Sequence, residues 1–303
     1  MTFSGLFVPL ITPFTDRDEP AYDVLARLAA EALDAGASGI VALGTTAEPA
    51  TLTPAERRSV VQVCAEVCLD RGAPLIVGTG GNSTADSERE LAALDPRAAG
   101  ALTVVPYYTK PSPAGVIEHF RRLASISPVP LVIYNVPHRT GRPLDAPTLC
   151  SLAELPNVAG FKHAVGAVDE TTVAFLAAAA QRTAVLSGDD LFTAPLLALG
   201  ARGAVPTCAN VATEACVTLV AAWRDGRIDV ARRCGDALVE PARALFAEPN
   251  PVVVKAVLAA QGRIPSATVR LPLLPAGHDA TVAALAAFES ISGDARMDAF
   301  ALG

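Results

Sequence analysis

Short β-prone apolar segments recur eight times along this chain, and segments with helical periodicity separate them. In the helical segments, for example residues 22–35 and 54–68, apolar residues recur every three or four positions. Regular alternation of this kind is typical of a parallel sheet whose strands are joined by helices. The predicted strands are residues 6–11, 39–43, 74–77, 102–105, 130–134, 158–161, 184–186 and 203–205.

Eight strand and helix units favour an α/β fold in which the strands close into a (β/α)8 TIM barrel. A doubly wound open sheet has the same local pattern and stays an alternative on periodicity alone. The chain has 303 residues, which is long enough for one such domain with a well-buried core.

The sequence after the eighth strand consists mainly of helical patterns. No low-complexity linker separates this part from the rest, so we expect it to pack on the barrel rather than to form an independent domain. We predict the barrel over residues 1–225 and a C-terminal helical extension over residues 226–303. The predicted helices here are residues 212–222, 228–246, 251–260 and 279–288.

Charge and hydropathy argue against several classes of partner. Lys and Arg number 24 against 31 Asp and Glu, and a net charge of -7 disfavours nucleic acid and anionic membranes. The apolar runs are shorter than the ~18 residues that a membrane span requires. The first residues, MTFSGLFVPLITPF, lack the basic region and cleavage site of a secretory signal. We therefore expect a cytoplasmic protein.

The cysteines do not have the spacing of a metal site. No CxxC pair occurs, and the two cysteines four residues apart have no histidine nearby. We interpret all six as buried thiols and predict no metal site. They are residues 64, 68, 150, 208, 216 and 234.

Polar residues directly after the predicted strands are the first candidates for function, because the carboxyl ends of barrel strands line the active site. The second strand ends in GTTAE, where backbone N–H groups and the hydroxyls of Thr45 and Thr46 could hold a small carboxylate. A glycine turn with threonine capping is the alternative. Tyr108 and Tyr134 follow or end the fourth and fifth strands, and Arg139 comes soon after. Tyrosines in such places often only pack at a half-wet edge.

Lys162 directly follows the apolar residues 158–161 of the sixth strand. A lysine in this position either extends its amine outward to water or reacts, and outward extension is the commoner case. Burial favours the neutral amine, which is the form that attacks a ketone. A carboxylate site, a phenol and an amine at one rim are together the groups needed to form an imine with a 2-oxo acid.

A series of motifs in this sequence resembles the dihydrodipicolinate synthase and N-acetylneuraminate lyase superfamily over about residues 5–275. The motifs are GTTAE, VPYYTKPS, YNVPHRTG, GFK, SGDD, GARGAVPTCANV, NPVVVK and RLPLLP, in this order. Thr45, Thr46, Tyr108 and Arg139 resemble the dihydrodipicolinate synthase branch. That branch condenses pyruvate with L-aspartate 4-semialdehyde to 4-hydroxy-tetrahydrodipicolinate in lysine biosynthesis.

The resemblance implies roles for the residues that handle pyruvate. Lys162 would form the Schiff base, and Tyr134 would transfer protons as general acid and base. Thr45 and Tyr108 would connect Tyr134 to solvent, with Tyr108 reaching across a subunit boundary. Thr46 would help to hold the pyruvate carboxylate.

Three further positions and the assembly also follow from the resemblance. Arg139 would bind the carboxylate of the aldehyde substrate in the bidentate geometry that favours Arg. Gly188 and Val205 would shape the pyruvate pocket through their backbone. No cofactor is implied, and the partners are small-molecule substrates and further copies of the chain, as a homotetramer built from two tight dimers.

Several positions depart from the family pattern. Ala47 stands where glycine is usual, so a positive φ there would be strained. His163 replaces an acidic or small polar residue, and it would either oppose protonation of Lys162 or pack at the barrel rim. Asp189 and Asp190 are interpreted as caps of the next helix rather than as a cation site.

The lysine-regulated members of the family differ from this chain in a second group of positions. Pro49, Pro54 and Arg57 stand where those members carry Ser and His. We therefore expect weak inhibition by L-lysine, or none.

Two other functions stay open from the sequence. One keeps the Schiff base and changes the aldehyde, as in 4-hydroxy-2-oxoglutarate, 2-keto-3-deoxy sugar acid or N-acetylneuraminate aldolases. The other is a catalytically silent barrel that binds a 2-oxo acid, since a fold does not fix a function.

Overall fold

The computed structural model describes residues 3–292, and its eight strands close into a parallel barrel in chain order. Each strand pairs in parallel with the next, and β1 pairs with β8 to complete the ring. The predicted TIM barrel is therefore confirmed, and the open sheet is excluded. The strands are β1 Gly5–Pro9, β2 Gly39–Ala42, β3 Leu75–Thr79, β4 Gly100–Val104, β5 Leu131–Asn135, β6 Val158–His163, β7 Ala184–Ser187 and β8 Gly203–Ala204.

A helix follows every strand on the outside of the barrel, and short helical turns lie at the carboxyl ends of β2, β5 and β8. Several of these helices begin at a polar cap whose side chain accepts a backbone N–H of the first turn: Thr53, Ser83, Ser112, Asp145 and Asp169. The helices are α1 Tyr22–Asp34, α2 Pro54–Asp70, α3 Thr84–Ala92, α4 Pro113–Ile126, α5 Pro137–Thr140, α6 Ala146–Ala153, α7 Glu170–Ala179, α8 Thr193–Ala198 and α9 Thr213–Arg224, with 3₁₀ turns at Thr45–Ala47, Pro49–Thr51 and Thr207–Asn210.

The seam between β1 and β8 closes the barrel through two glycines. Gly5 and Gly203 are direct partners, and a Cβ on Gly203 would lie 2.0 Å from the carbonyl oxygen of Gly5. Because β8 has only two residues, strand pairing stops early, and the buried side chain of Asn210 continues it. Its Nδ2 donates to Pro9 O at 2.9 Å, and its Oδ1 accepts from Ile11 N at 3.3 Å.

Alternate residues on each strand divide between the barrel interior and the helix layer. On β6, Phe161 and His163 face the helices, with ring centroids 5.0 and 5.6 Å from that of Phe175. Lys162 lies between them in sequence and points inward, above the apolar filling of the barrel. That filling includes Phe7, Val41, Ile76, Leu102, Val132 and Leu186.

Four more helices follow the barrel: α10 Ile228–Ala237, α11 Val239–Leu245, α12 Val252–Ala260 and α13 His278–Ser292. The single helix predicted over residues 228–246 is wrong, because α10 and α11 are separate. Pro241 has no N–H to donate to the carbonyl four residues earlier, which accounts for the break.

The C-terminal helices share an apolar core with the barrel, to which Leu245, Val253 and Ala284 belong, and the segment after α12 adds polar contacts. Arg263 donates to Asn210 O at 3.0 Å and pairs with Glu31 of α1 at 3.2 Å. Division into two domains at residue 225 stays a prediction, and residues 293–303 of the predicted extension lie outside the described residues. Within residues 3–292, no helix is both long and apolar enough to cross a membrane.

The seam leads to a stability prediction. Gly203→Ala should destabilise the fold by about 3 kcal/mol or more, because its Cβ has no room against the β1 backbone. Gly115→Ala in α4 is the matched control: its Cβ would meet its nearest neighbours at 3.4 Å, and alanine favours a helix. Urea unfolding should give a lower midpoint for the first variant and an equal or higher one for the second. Equal midpoints for Gly203→Ala and wild type would contradict the prediction.

Candidate active site

A cavity of about 660 Å³ opens at the carboxyl-terminal rim of the barrel. Its walls come from the segments after β2, β3, β4 and β5, and from the C-terminal part of the chain. Three of the predicted site residues line it directly: Thr45, Tyr134 and Arg139. Asn250 and Leu273 contribute the C-terminal wall.

Lys162 and Tyr134 are neighbours on adjacent strands. They are register partners in β6 and β5, and the Lys162 Nζ lies 4.6 Å from the centroid of the Tyr134 ring. Both side chains are buried, with 5% of Lys162 and 8% of Tyr134 exposed. The structure therefore brings the predicted nucleophile and the predicted proton carrier together.

Gly188 and Val205 lie on the neighbouring strand ends. A Cβ on Gly188 would lie 2.8 Å from Cγ of Lys162, so the absence of a side chain makes room for the lysine. Its N–H donates to the carbonyl of His163 at 2.8 Å. Val205 is buried, and its N–H donates to Ser187 O at 2.7 Å.

Asp189 and Asp190 do not cap α8, and the capping interpretation is wrong. The Asp189 carboxylate accepts from Gly166 N at 2.7 Å, and that of Asp190 accepts from the backbone N–H groups of Thr207 and Cys208 at 2.9 and 2.5 Å. Desolvation raises the pKa of both carboxyl groups, and the nearby charge of Lys162 offsets part of this. The two side chains thus join loops around the lysine. No group of His, Cys, Asp and Glu side chains in residues 3–292 could hold a metal ion.

The two threonines after β2 lie in a short 3₁₀ turn at the cavity wall. Thr46 is buried, and its Oγ1 accepts from Asn250 Nδ2 at 3.0 Å. The residue with positive φ in this segment is Glu48 (φ 53°), so the strain expected at Ala47 is absent. The Ala47 carbonyl accepts a hydrogen bond from the Thr12 hydroxyl at 2.8 Å.

His163 belongs to the helix layer and not to the cavity. Its Nδ1 lies 3.3 Å from Asn135 Nδ2, and its Nε2 lies 3.2 Å from Thr172 Oγ1. Burial lowers the pKa of His163 to about 4, with Asp169 opposing the shift. The imidazole is therefore neutral at neutral pH and does not oppose protonation of Lys162, which agrees with the packing interpretation.

The outer part of the site carries the remaining predicted residues. Arg139 is exposed on α5 at the cavity wall. Tyr107 lines the cavity, whereas Tyr108 turns away with a positive φ of 65° and is 86% exposed. Within a single chain, Tyr108 therefore does not join the other site residues.

The sequence did not predict the buried residues that hold the 3₁₀ turn of Thr45 and Thr46. Glu48 and Lys255 form an ion pair whose side chains are 2% and 0% exposed. The only signal in the sequence was a lysine within the apolar run PVVVKAV. A lysine in such a helix requires a buried partner, but periodicity does not identify a residue 207 positions earlier.

The chain is similar to curated and solved proteins over almost its whole length. It is 40% identical over 274 residues to the 4-hydroxy-tetrahydrodipicolinate synthase of Methanothrix thermoacetophila, covering 90% of this chain and 92% of that protein. The enzyme of the same name from Thermomicrobium roseum is 42% identical over 289 residues, with 93% of each chain covered.

A solved structure agrees with the barrel as a whole. The chloride-inhibited dihydrodipicolinate synthase of Acinetobacter baumannii, crystallised with pyruvate, matches with a TM-score of 0.92 and 34% identity over 96% of this chain and 99% of that one. The model of the dihydrodipicolinate synthetase family matches residues 2–290. The chain therefore belongs to the dihydrodipicolinate synthetase family.

Proposed function

We propose that this protein is a pyruvate-dependent lyase that condenses pyruvate with L-aspartate 4-semialdehyde to 4-hydroxy-tetrahydrodipicolinate. The observation that carries the proposal is the buried amine of Lys162 against the phenol ring of Tyr134, next to a cavity with room for two small substrates. Membership of the family and the names of its relatives support the choice of reaction.

The chemistry begins with attack of the neutral Lys162 amine on the ketone carbon of pyruvate. Loss of water from the adduct gives an imine, and loss of a methyl proton gives the enamine. The enamine carbon then attacks the aldehyde carbon of the second substrate, whose oxygen takes up a proton. Tyr134 is the proton carrier in these steps, because its side chain lies beside the lysine.

Ring closure releases the enzyme. The amine of the second substrate attacks the imine carbon and gives an adduct in which that carbon carries both nitrogens. The C–N bond to Lys162 then breaks, the lysine amine takes up the proton that the substrate nitrogen loses, and the ring C=N bond forms. These steps need no external oxidant or reductant and no cofactor. Holding both reactants in one cavity supplies a large part of the rate advantage.

The 3₁₀ turn that contains Thr45 and Thr46 is the proposed site for the pyruvate carboxylate. Because Asn250 donates to the Thr46 oxygen, the Thr46 hydroxyl keeps its own proton for another acceptor. Thr45 lines the cavity beside it. We assign carboxylate binding to both threonines, and Thr45 also joins Tyr134 to the proton path.

The outer residues complete the proposed site. Arg139 binds the carboxylate of the aldehyde substrate, since it lines the cavity and has no carboxylate partner among residues 3–292. Gly188 and Val205 shape the pyruvate pocket. Tyr108 completes the proton path in a second copy of the chain, which fits its 86% exposure and requires an oligomer. A cytoplasmic homotetramer is part of this proposal.

Trapping with borohydride tests the imine. The chain has only three lysines, Lys110, Lys162 and Lys255, so a reduced pyruvate adduct can be assigned to one peptide by mass spectrometry. We expect the adduct on Lys162 and its loss in Lys162→Arg, because the guanidinium is not nucleophilic. Lys110→Arg is the control and should keep the adduct. A wild-type protein without an adduct on Lys162 would refute the covalent mechanism.

Substitution of Arg139 tests the second substrate. Arg139→Ala should raise the KM for aspartate semialdehyde about 10- to 100-fold, the usual range for a lost charged hydrogen bond. The KM for pyruvate should change little, and it serves as the internal control in the same assay. Turnover only with a sugar-derived aldehyde or with 4-hydroxy-2-oxoglutarate would move the assignment to another aldolase of the family.

Addition of L-lysine should inhibit the enzyme weakly or not at all. Arg57 stands where lysine-regulated members carry Ser or His, and in the cavity wall its Nη1 pairs with Glu90 Oε1 at 3.2 Å, so that oxygen is not free to accept from an ammonium group. The second Glu90 oxygen already accepts from Gly80 N at 2.7 Å. A titration of initial rates against L-lysine measures this, and strong inhibition at sub-millimolar concentrations would contradict it.

A further inference from the structure

Residues 44–51, named here the threonine loop, have an unusual backbone at their centre. Glu48 adopts φ 53° between two 3₁₀ turns, a conformation that costs a non-glycine residue about 1 kcal/mol or more. Its side chain turns into the protein and is 2% exposed. Such a conformation persists only where surrounding groups hold it.

Lys255 of α12 is the first of these groups. Its Nζ donates to Glu48 Oε1 at 2.5 Å and to Thr268 O at 2.9 Å, and it lies 3.9 Å from the centroid of the Phe14 ring. The residue is fully buried. Burial lowers the pKa of Lys255 to about 8, and Glu48 opposes this by favouring the ammonium.

Arg270 is the second group, and it holds the other carboxylate oxygen. Its backbone N–H donates to Glu48 Oε2 at 3.0 Å. Its guanidinium donates to Thr51 O at 2.9 Å and to Glu56 at 2.7 and 2.8 Å, which lowers the pKa of Glu56 to about 2. Both Glu48 oxygens and the end of the threonine loop are therefore fixed by residues from the last quarter of the chain.

A buried ion pair is weak support for stability, since neutral side chains of similar size often replace one without loss. Here the bonds go to the threonine loop and not to a barrel strand, and Asn250 adds one to Thr46. We propose that Glu48 and Lys255 are a pair of positioning residues that fix the threonine hydroxyls at the distance from Lys162 that pyruvate requires. This inference rests on the proposed function of the loop as the pyruvate carboxylate site.

A neutral double variant separates positioning from stability. In Glu48→Gln/Lys255→Met, the new amide keeps an acceptor for the Arg270 N–H, and no charge stays buried without a partner. We expect the thermal unfolding midpoint to stay close to that of wild type. The pyruvate concentration that half-saturates borohydride trapping on Lys162 should rise about tenfold or more, because small misplacements of binding groups have large effects. The KM for the aldehyde should change by less than about threefold.

A conservative variant covers the case in which the double variant does not fold. Glu48→Asp keeps the charge and the ion pair, and aspartate tolerates positive φ better than most residues. Its side chain is one methylene shorter, so it displaces the threonine loop toward Lys255. We expect a several-fold rise in half-saturating pyruvate here as well. Wild-type trapping curves for every variant that folds would overturn the proposal.

A second ion pair serves as the matched control. Asp34→Asn/Arg71→Met removes the pair that joins the end of α1 to the residue after α2, remote from the threonine loop. It should leave pyruvate trapping unchanged, and an equal rise in this variant would count against positioning. The two proposals fail differently: a wild-type enzyme without any Lys162 adduct refutes the proposed function, whereas normal trapping in the variants refutes only the positioning role.

Discussion

The backbones of Gly5 and Gly203 approach so closely that no side chain fits between them, and this contact turns a row of eight strands into a ring. Ring closure gives all eight carboxyl ends a common rim. Lys162 at the end of β6 and the threonine loop after β2 therefore lie at the same rim, although their strands are distant in the sheet. Tyr134, which lies against Lys162, and Thr45 both line the cavity. In an open sheet of the same strand order, β1 and β8 would be exposed edges, and β2 and β6 would not face each other across a closed barrel.

The features that the sequence predicted correctly depend on local patterns. Eight apolar segments and the helices between them predict the barrel, because the strands of a parallel sheet are buried on both faces and therefore have continuous apolar sequences. Lys162 was identifiable because it directly follows four apolar strand residues, where burial of an ammonium group is unfavourable unless the group is paired or reactive. Tyr134, Thr45 and Arg139 could be placed at the same rim once the fold was a barrel, since each follows or ends a strand.

The features that the sequence did not predict depend on direction and on distant partners. His163 and Lys162 are adjacent, yet strand alternation sends one to α7 and the other to the barrel interior. The residue with a left-handed backbone is Glu48 and not Ala47. The groups that hold the Glu48 carboxylate, Lys255 and Arg270, come from the C-terminal segment. Such contacts join residues more than two hundred positions apart, and no periodicity encodes them.

The threonine loop and the residues that hold it are far apart in the chain, so they are synthesised at different times. Lys162, Tyr134 and both seam glycines are synthesised before Asn250, Lys255 and Arg270. A nascent chain that ends before Asn250 thus contains both seam glycines but lacks every one of these groups that hold the threonine loop and the left-handed conformation of Glu48. The shape of this wall of the cavity is completed only when the last quarter of the polypeptide has been translated.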